Sequence, residues 1–123
     1  MDFRLSSEQQ ALADSVASFC ARDYDFEHRR LSLANEGGFS PDNWQLFAEL
    51  GWLGAGLGED AGGYGGGAVE NAIILEAFGR ALVVEPFLAC AVLALQTLAA
   101  LPKSDARDQL IAESQPDLRN WEW

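Results

Sequence analysis

Residues 56–67 read GLGEDAGGYGGG, and seven of these twelve residues are glycine. Two matches to the loose dinucleotide-binding pattern G-x-G-x-x-A begin within this run, one at Gly56 and one at Gly63. The pattern holds a pyrophosphate only where a buried strand precedes it and a helix begins inside it. The residues before it, FAELGWLGAG (47–56), end a helical pattern instead. The run is therefore predicted to be a tight connector between two helices.

Both flanks of this connector have the periodicity of helices. Upstream, Ser40 and Pro41 are a typical helix start, and Gly51 is a natural left-handed end. Downstream, residues 68–82 are apolar on more than one face, which predicts a central helix packed on several sides. In that helix we expect Glu76 and Arg80 to pair in a buried setting, and we expect Gly79 to mark a close helix crossing.

Three further helices are indicated, and no segment alternates with period two. Ser6 and Gln9 have capping-box spacing before the first helix. Pro86 precedes a helix predicted over 87–101, and Ser104 precedes a short helix over 105–113. Residues 23–35 are mixed and rich in charge, and they are left unassigned. The sequence predicts an all-α bundle of about five to six helices in one domain over residues 1–113, with an unassigned tail over 114–123.

Composition excludes several classes of function. The net charge is −11, so no basic surface exists for nucleic acid or for an anionic membrane. The most apolar stretch, residues 81–101, is interrupted by Glu85, Pro86 and Gln96, and this predicts a core helix in place of a membrane span. Cys20 and Cys90 have no disulfide or metal-ligand spacing, which is typical of buried thiols in a reduced cytoplasmic protein.

The order of the motifs resembles the N-terminal helical domain of acyl-CoA dehydrogenases. The run WQLFAELGWLGAGLGEDAGGYGGG (44–67) is followed by ENAIILEAFGRALVVEPFL (70–88), and the opening residues 1–19 are similar to the first helix of the family. Gly58 stands where the family usually has proline. The last ten residues do not align with the family, so they are either a natural short tail or an altered, out-of-frame end.

The resemblance implies an activity that this chain does not carry by itself. Members of the family use FAD to oxidise an acyl-CoA to a 2-enoyl-CoA, and they pass electrons to a partner protein. Their catalytic base and most flavin contacts lie in later domains, so no residue of this chain is nominated as catalytic or cofactor-binding. We therefore expect no flavin and no turnover with the chain alone. The acidic residues considered as a base and set aside are Glu8, Glu59, Asp60, Glu70 and Glu76.

The resemblance also implies which residues wall the acyl pocket. The start of the fourth helix lines the far end of that pocket in the family, so the candidates are Phe87, Ala89, Val92 and Leu93, although core packing explains them equally well. Two other interpretations remain open. The chain could be a helical module that self-associates or pairs with a flavin-bearing subunit through an exposed face, or it could be an unrelated acidic bundle without a ligand.

Overall fold

A computed structural model describes residues 2–114, and all regular elements in that range are helical. The α-helices are α1 (Ser7–Asp23), α2 (Phe26–Ala34), α3 (Pro41–Glu49), α4 (Ala68–Ala81), α5 (Leu95–Ala100) and α6 (Asp105–Ser114). A short 3₁₀ turn spans Glu59–Ala61, and a π-helix spans Leu88–Ala94. The all-α prediction is confirmed, and residues 115–123 of the predicted tail lie outside the described range.

The helix starts follow from local capping chemistry. At the start of α1 the Ser6 hydroxyl accepts the Gln9 N–H at 3.1 Å, and the Gln9 side chain accepts the Ser6 N–H at 2.9 Å, which completes the predicted capping box. Ser40 caps α3 in the same way through the Asn43 N–H. Gly51 adopts φ +79° just after α3, as its position predicted. Sequence and structure agree at these ends because a cap depends on neighbouring residues only.

The core is formed where α1 lies along α4 and both meet aromatic residues from α3 and the connector. Phe19 contacts Phe47 edge to face, with ring centroids 5.4 Å apart. Phe78 contacts Phe47 at 5.0 Å and Phe87 at 5.4 Å. Edge-to-face and offset pairs of this kind are favourable beyond the area they bury. The fully buried side chains include Phe47, Phe87, Leu57, Ile74, Leu95 and Val16.

Helix α4 is less enclosed than its composition suggested. Glu76 and Arg80 do pair, at 2.7 Å, but both side chains are exposed, so the expectation of a buried pair is wrong. The close crossing expected at Gly79 is also wrong, because a Cβ at this position would meet nothing within 4 Å. Both errors have one cause. Apolar residues such as alanine and valine occur on exposed helix faces as well as in cores, so apolar residues on several faces of a helix do not prove that it is buried.

Two segments differ from the sequence-based expectations in their secondary structure. The unassigned region contains α2, which Asp25 caps by accepting the His28 N–H at 2.9 Å. The helix expected over 87–101 is continuous, but its first half is the π-helix, in which the N–H of Leu95 donates to the carbonyl of Cys90, five residues earlier. Leu88, Ala89, Leu93 and Ala94 of this π-helix are exposed.

Candidate functional site

The glycine-rich connector is a closed turn and does not fit a phosphate-binding loop. Most of its N–H groups are already used: Gly63 donates to the Gly58 carbonyl at 3.0 Å, and Tyr64 donates to the Gly54 carbonyl at 3.1 Å. Gly62 takes the left-handed conformation at φ +82° that ends the 3₁₀ turn. A phosphate cradle needs free N–H groups that point at the ligand. The interpretation of this run as a connector between helices is confirmed.

The four predicted wall residues occupy different environments. Phe87 is 2% exposed and belongs to the aromatic core, whereas Leu93 is 60% exposed and Ala89 is also exposed. Val92 is partly buried and packs against the core. The structure thus brings Ala89 and Leu93 to the outer surface of the π-helix and places Phe87 beneath it. Which of them meets an acyl group stays a prediction.

A buried polar cluster lies next to the start of the π-helix. We call it the Glu85 network: Glu85, Tyr24, Ser32, Ser40 and Asn43. The Glu85 carboxylate accepts the Ser40 backbone N–H at 3.1 Å and the Asn43 side-chain amide at 3.2 Å. Glu85 is only 4% exposed, and within the described chain no cation lies within 4 Å of it. Its charge is stabilised by the N-terminal end of α3, where backbone N–H groups point outward.

Tyr24 attaches the same network to the end of α1. Its hydroxyl oxygen accepts the Val84 N–H at 3.0 Å, one residue before Glu85. Burial, with a smaller contribution from the nearby Glu85 carboxylate, raises the pKa of Tyr24 to about 12. The phenol therefore stays protonated at neutral pH. The sequence did not reveal this network, because its members are separated by up to 61 positions between Tyr24 and Glu85 and match no motif.

The remaining acidic residues have structural roles. Glu70 accepts the Gly67 N–H at 2.7 Å at the start of α4 and the Gln9 side-chain amide at 3.0 Å. The Gln9 and Gly67 hydrogen bonds, in that order, lower the pKa of Glu70. Glu59 and Asp60 form the 3₁₀ turn of the connector. Within residues 2–114, no group of three or more histidine, cysteine, aspartate or glutamate residues could hold a metal ion.

In residues 2–114 the connector and the α1–α4 pair border three open grooves, and none of these three is lined by the four wall candidates. Grooves of about 560 Å³ and 420 Å³ flank the connector, and a groove of about 530 Å³ lies between α1 and α4. Carboxylates line the two connector grooves: Glu49 is common to both, Asp60 and Asp108 line the larger, and Glu8 and Glu70 line the smaller. Such rims repel phosphate, so these grooves do not fit the phosphate groups of CoA or a flavin.

Both thiols are reduced and half-buried. Cys20 lies on α1, with its sulfur 3.9 Å from the Ala77 carbonyl, and Cys90 lies on the π-helix. Burial raises the pKa of both groups. A thiol is a poor nucleophile until it loses its proton, so neither is activated for chemistry.

None of the helices in residues 2–114 is long and apolar enough to cross a membrane.

The all-helical architecture is consistent with the N-terminal helical domain of acyl-CoA dehydrogenases. The family model for the acyl-CoA dehydrogenase N-terminal domain matches residues 6–113. The chain therefore belongs to this family, as its motifs suggested. No solved structure gave a significant match.

Curated relatives give the same result over part of their length. The chain is 35% identical to acyl-CoA dehydrogenase IpdE2 of Mycobacterium tuberculosis over 81% of this chain and 31% of that protein. It is 33% identical to IpdE2 of Mycolicibacterium smegmatis over 68% of this chain and 27% of that protein. It is 32% identical to an acryloyl-CoA reductase (NADH) of Anaerotignum propionicum over 65% of this chain and 20% of that protein. The matched region thus spans about a third or less of each relative.

Proposed function

We propose that this chain serves as the N-terminal domain of an FAD-dependent acyl-CoA dehydrogenase that oxidises an acyl-CoA to a 2-enoyl-CoA. The family match over residues 6–113 carries the proposal. The domain walls the acyl pocket and covers one side of the flavin cleft, and it is inactive alone. Its setting is the cytoplasm, where its two thiols stay reduced.

The wall consists of the outward surface of the π-helix. Ala89 and Leu93 are the residues on that surface that contact the acyl chain, and Val92 lies at its edge. Phe87 does not contact the acyl chain. It supports the π-helix, because its ring packs against Phe78 in the core. Apolar side chains suit this role, since a ligand pocket is mostly apolar with a few polar groups that fix orientation.

FAD, when bound, supplies the redox chemistry that no side chain of this domain can supply. The described residues do not fit a flavin site of their own, because most of the connector N–H groups are paired and carboxylates line the grooves beside the connector. The domain contributes apolar surface and water exclusion, and other parts of the enzyme hold the cofactor. The apolar surface of this domain forms part of the active site only when the domain is assembled with the part of the enzyme that holds the flavin.

The first experiment records the visible absorption spectrum of the chain purified from its own host. A flavin band that travels with a second chain supports assembly with a flavin-bearing partner. The second experiment mixes the isolated chain with FAD, acyl-CoA and an electron acceptor, and we expect no turnover. Turnover by the isolated chain would overturn the proposal that it is inactive alone.

A labelling experiment tests the wall itself. An acyl-CoA with a diazirine at the end of its acyl chain is irradiated with the flavin-containing assembly, and the labelled peptides are identified by mass spectrometry. We expect the label within residues 88–94. Leu110 is a matched control, because it is also an exposed leucine but lies on α6. Label at Leu110 and none on the π-helix would refute the assignment.

A second candidate function is favoured by the amount of exposed apolar surface. Large apolar side chains are exposed on α2, on the π-helix and at the end of α4, including Phe26, Leu31, Leu82, Leu88 and Leu93. Where exposed apolar side chains form a contiguous patch, they mark an interaction site. The chain would then be a module that dimerises or pairs with a flavin-bearing subunit, and such association would stabilise its fold. A clean monomer in sedimentation at high concentration would contradict self-association.

A further inference from the structure

We propose that Glu85 is a positioning residue, which holds the π-helix in place so that Ala89 and Leu93 face outward. The role of this surface in binding the acyl chain rests on the proposed function. The positioning role of Glu85 is argued from the contacts of the Glu85 network alone. Glu85 is buried, it carries no part of the chemistry above, and it lies three residues before the π-helix begins.

The first argument is the way in which Glu85 completes the start of α3. In a capping box, a glutamate at the third helical position accepts the N–H of the capping residue. The capping residue of α3 is Ser40, and its third helical position holds Asn43, which does not fill this role. Glu85 accepts the Ser40 N–H instead, from 45 positions away, and also accepts the Asn43 amide. One carboxylate thus fixes the segment before the π-helix to the start of α3.

The second argument is that this short segment is held at three successive points. The Val84 N–H donates to the Tyr24 hydroxyl, the Glu85 carboxylate binds the start of α3, and Phe87 inserts into the aromatic core. The π-helix follows at once, beginning at Leu88. A π-helix is a less regular structure that needs support from its surroundings, so its orientation depends on what holds its first turn.

The third argument is that no cation supports the hydrogen bonds to the carboxylate. Its donors, the Ser40 N–H, the Asn43 amide and the adjacent Tyr24 hydroxyl, are neutral, and in residues 2–114 no basic side chain lies within 4 Å of it. An amide at position 85 has one acceptor oxygen for these donors, and a buried donor without an acceptor costs its full desolvation penalty. Removing the charge should therefore loosen the π-helix before it affects α1.

The reactivity of the two native cysteines shows whether the π-helix loosens while α1 does not. Cys90 lies on the π-helix and Cys20 on α1, and both are half-buried with pKa values raised by burial, so they are matched probes. The rate of thiol reaction with an aromatic disulfide reagent is measured for each, using Cys20→Ala and Cys90→Ala backgrounds to assign the phases. We expect Glu85→Gln to accelerate Cys90 about tenfold, with Cys20 changed less than about twofold.

A double variant that exchanges the carboxylate and the amide between positions 85 and 43 tests whether the hydrogen bonds can be restored. In Glu85→Gln/Asn43→Asp, the introduced amide can accept the Ser40 N–H and donate to the introduced carboxylate, so each donor again meets an acceptor. We expect the Cys90 rate to return to within about threefold of wild type. Glu27→Gln, which removes an exposed carboxylate on α2, should leave both rates unchanged. The Cys20 rate distinguishes a local loosening from a general loss of stability.

Either of two results would overturn the proposal: equal acceleration of both thiols, or no acceleration of Cys90. If Glu85→Gln does not fold, Asn43→Ala removes the side-chain amide that donates to Glu85, and the same criteria apply to it. The measurement uses no acyl-CoA and no flavin. A Cys90 response without diazirine label on the π-helix would uphold the anchor and refute the proposed wall, so the two failures are distinguishable.

Discussion

Replacing Gly79 with alanine tests how open the outer face of α4 is. Gly79 lies inside a helix, and a Cβ built on it meets nothing within 4 Å. Glycine inside a helix costs about 0.5–1 kcal/mol relative to alanine. Because Gly79 is two residues before Ala81, the last residue of α4, the gain belongs to the lower end of that range. We expect the free energy of unfolding to rise by about 0.5 kcal/mol, or about 2 °C in Tm for a domain of this size.

Gly63→Ala is the matched control for this substitution. Gly63 also has a backbone conformation that alanine can adopt, but its added methyl would collide with the backbone carbonyl of Leu57. Overpacking against backbone destabilises by about 1–3 kcal/mol, so its Tm should fall by about 4–12 °C. Thermal and urea unfolding followed by far-UV circular dichroism measure both variants. A loss of stability in Gly79→Ala would refute the reasoning, because it would show that this face is covered in solution.

Three other substitutions test the connector, a strained residue and a helix cap. Gly58 has φ −64° and ψ 154°, which suit proline, although an added Cβ requires the Asp60 carboxylate to turn aside. Gly58→Pro should raise the free energy of unfolding by about 0.4–1 kcal/mol in urea titration, and a decrease would show that the turn rearranges. Leu82 is exposed and has a left-handed backbone conformation at φ 55°. Leu82→Asn should relieve roughly 1 kcal/mol of backbone strain and raise the Tm by a few degrees in calorimetry. An unchanged Tm would argue against strain at this residue. Glu70 has a lowered pKa when folded, so it stabilises the fold above the unfolded value of about 4.3 and this contribution is lost as pH falls through the folded pKa. Wild type should thus lose more stability than Glu70→Gln between pH 5 and pH 3, and parallel losses would contradict the role of Glu70 as a cap.

Local chemistry in the sequence predicted where most helices begin and end. The hydroxyl groups of Ser6, Ser40 and Ser104 each accept a backbone N–H three residues later, as their spacing indicated. The connector was also predictable, because no strand pattern precedes its glycines. These features depend on a few adjacent residues, so a single sequence contains the information needed to find them.

Features that depend on distant residues were not predictable. The exposure of Gly79 depends on which neighbours cover α4, and the sequence does not say which face of an apolar helix is buried. The π-helix has a composition, LACAVLA, that fits an α-helix equally well. In the sequence, Glu85 interrupts an apolar stretch, which argues against a membrane span, and belongs to the family-like run 70–88. Its true setting requires the start of α3, 45 positions away, to be placed beside it.

The pairing of α1 with α4 imposes a delay during synthesis. Helix α1 ends at Asp23 and α4 ends at Ala81, 81 − 23 = 58 positions later. At about 5–20 residues per second, a ribosome needs about 3–12 s to produce the partner that covers the apolar face of α1. During that interval Val16 and Phe19 have no α4 to pack against, although both are buried in the finished domain. The nascent chain is thus exposed to chaperones and to aggregation for seconds, and slower translation of the glycine-rich connector would lengthen that time.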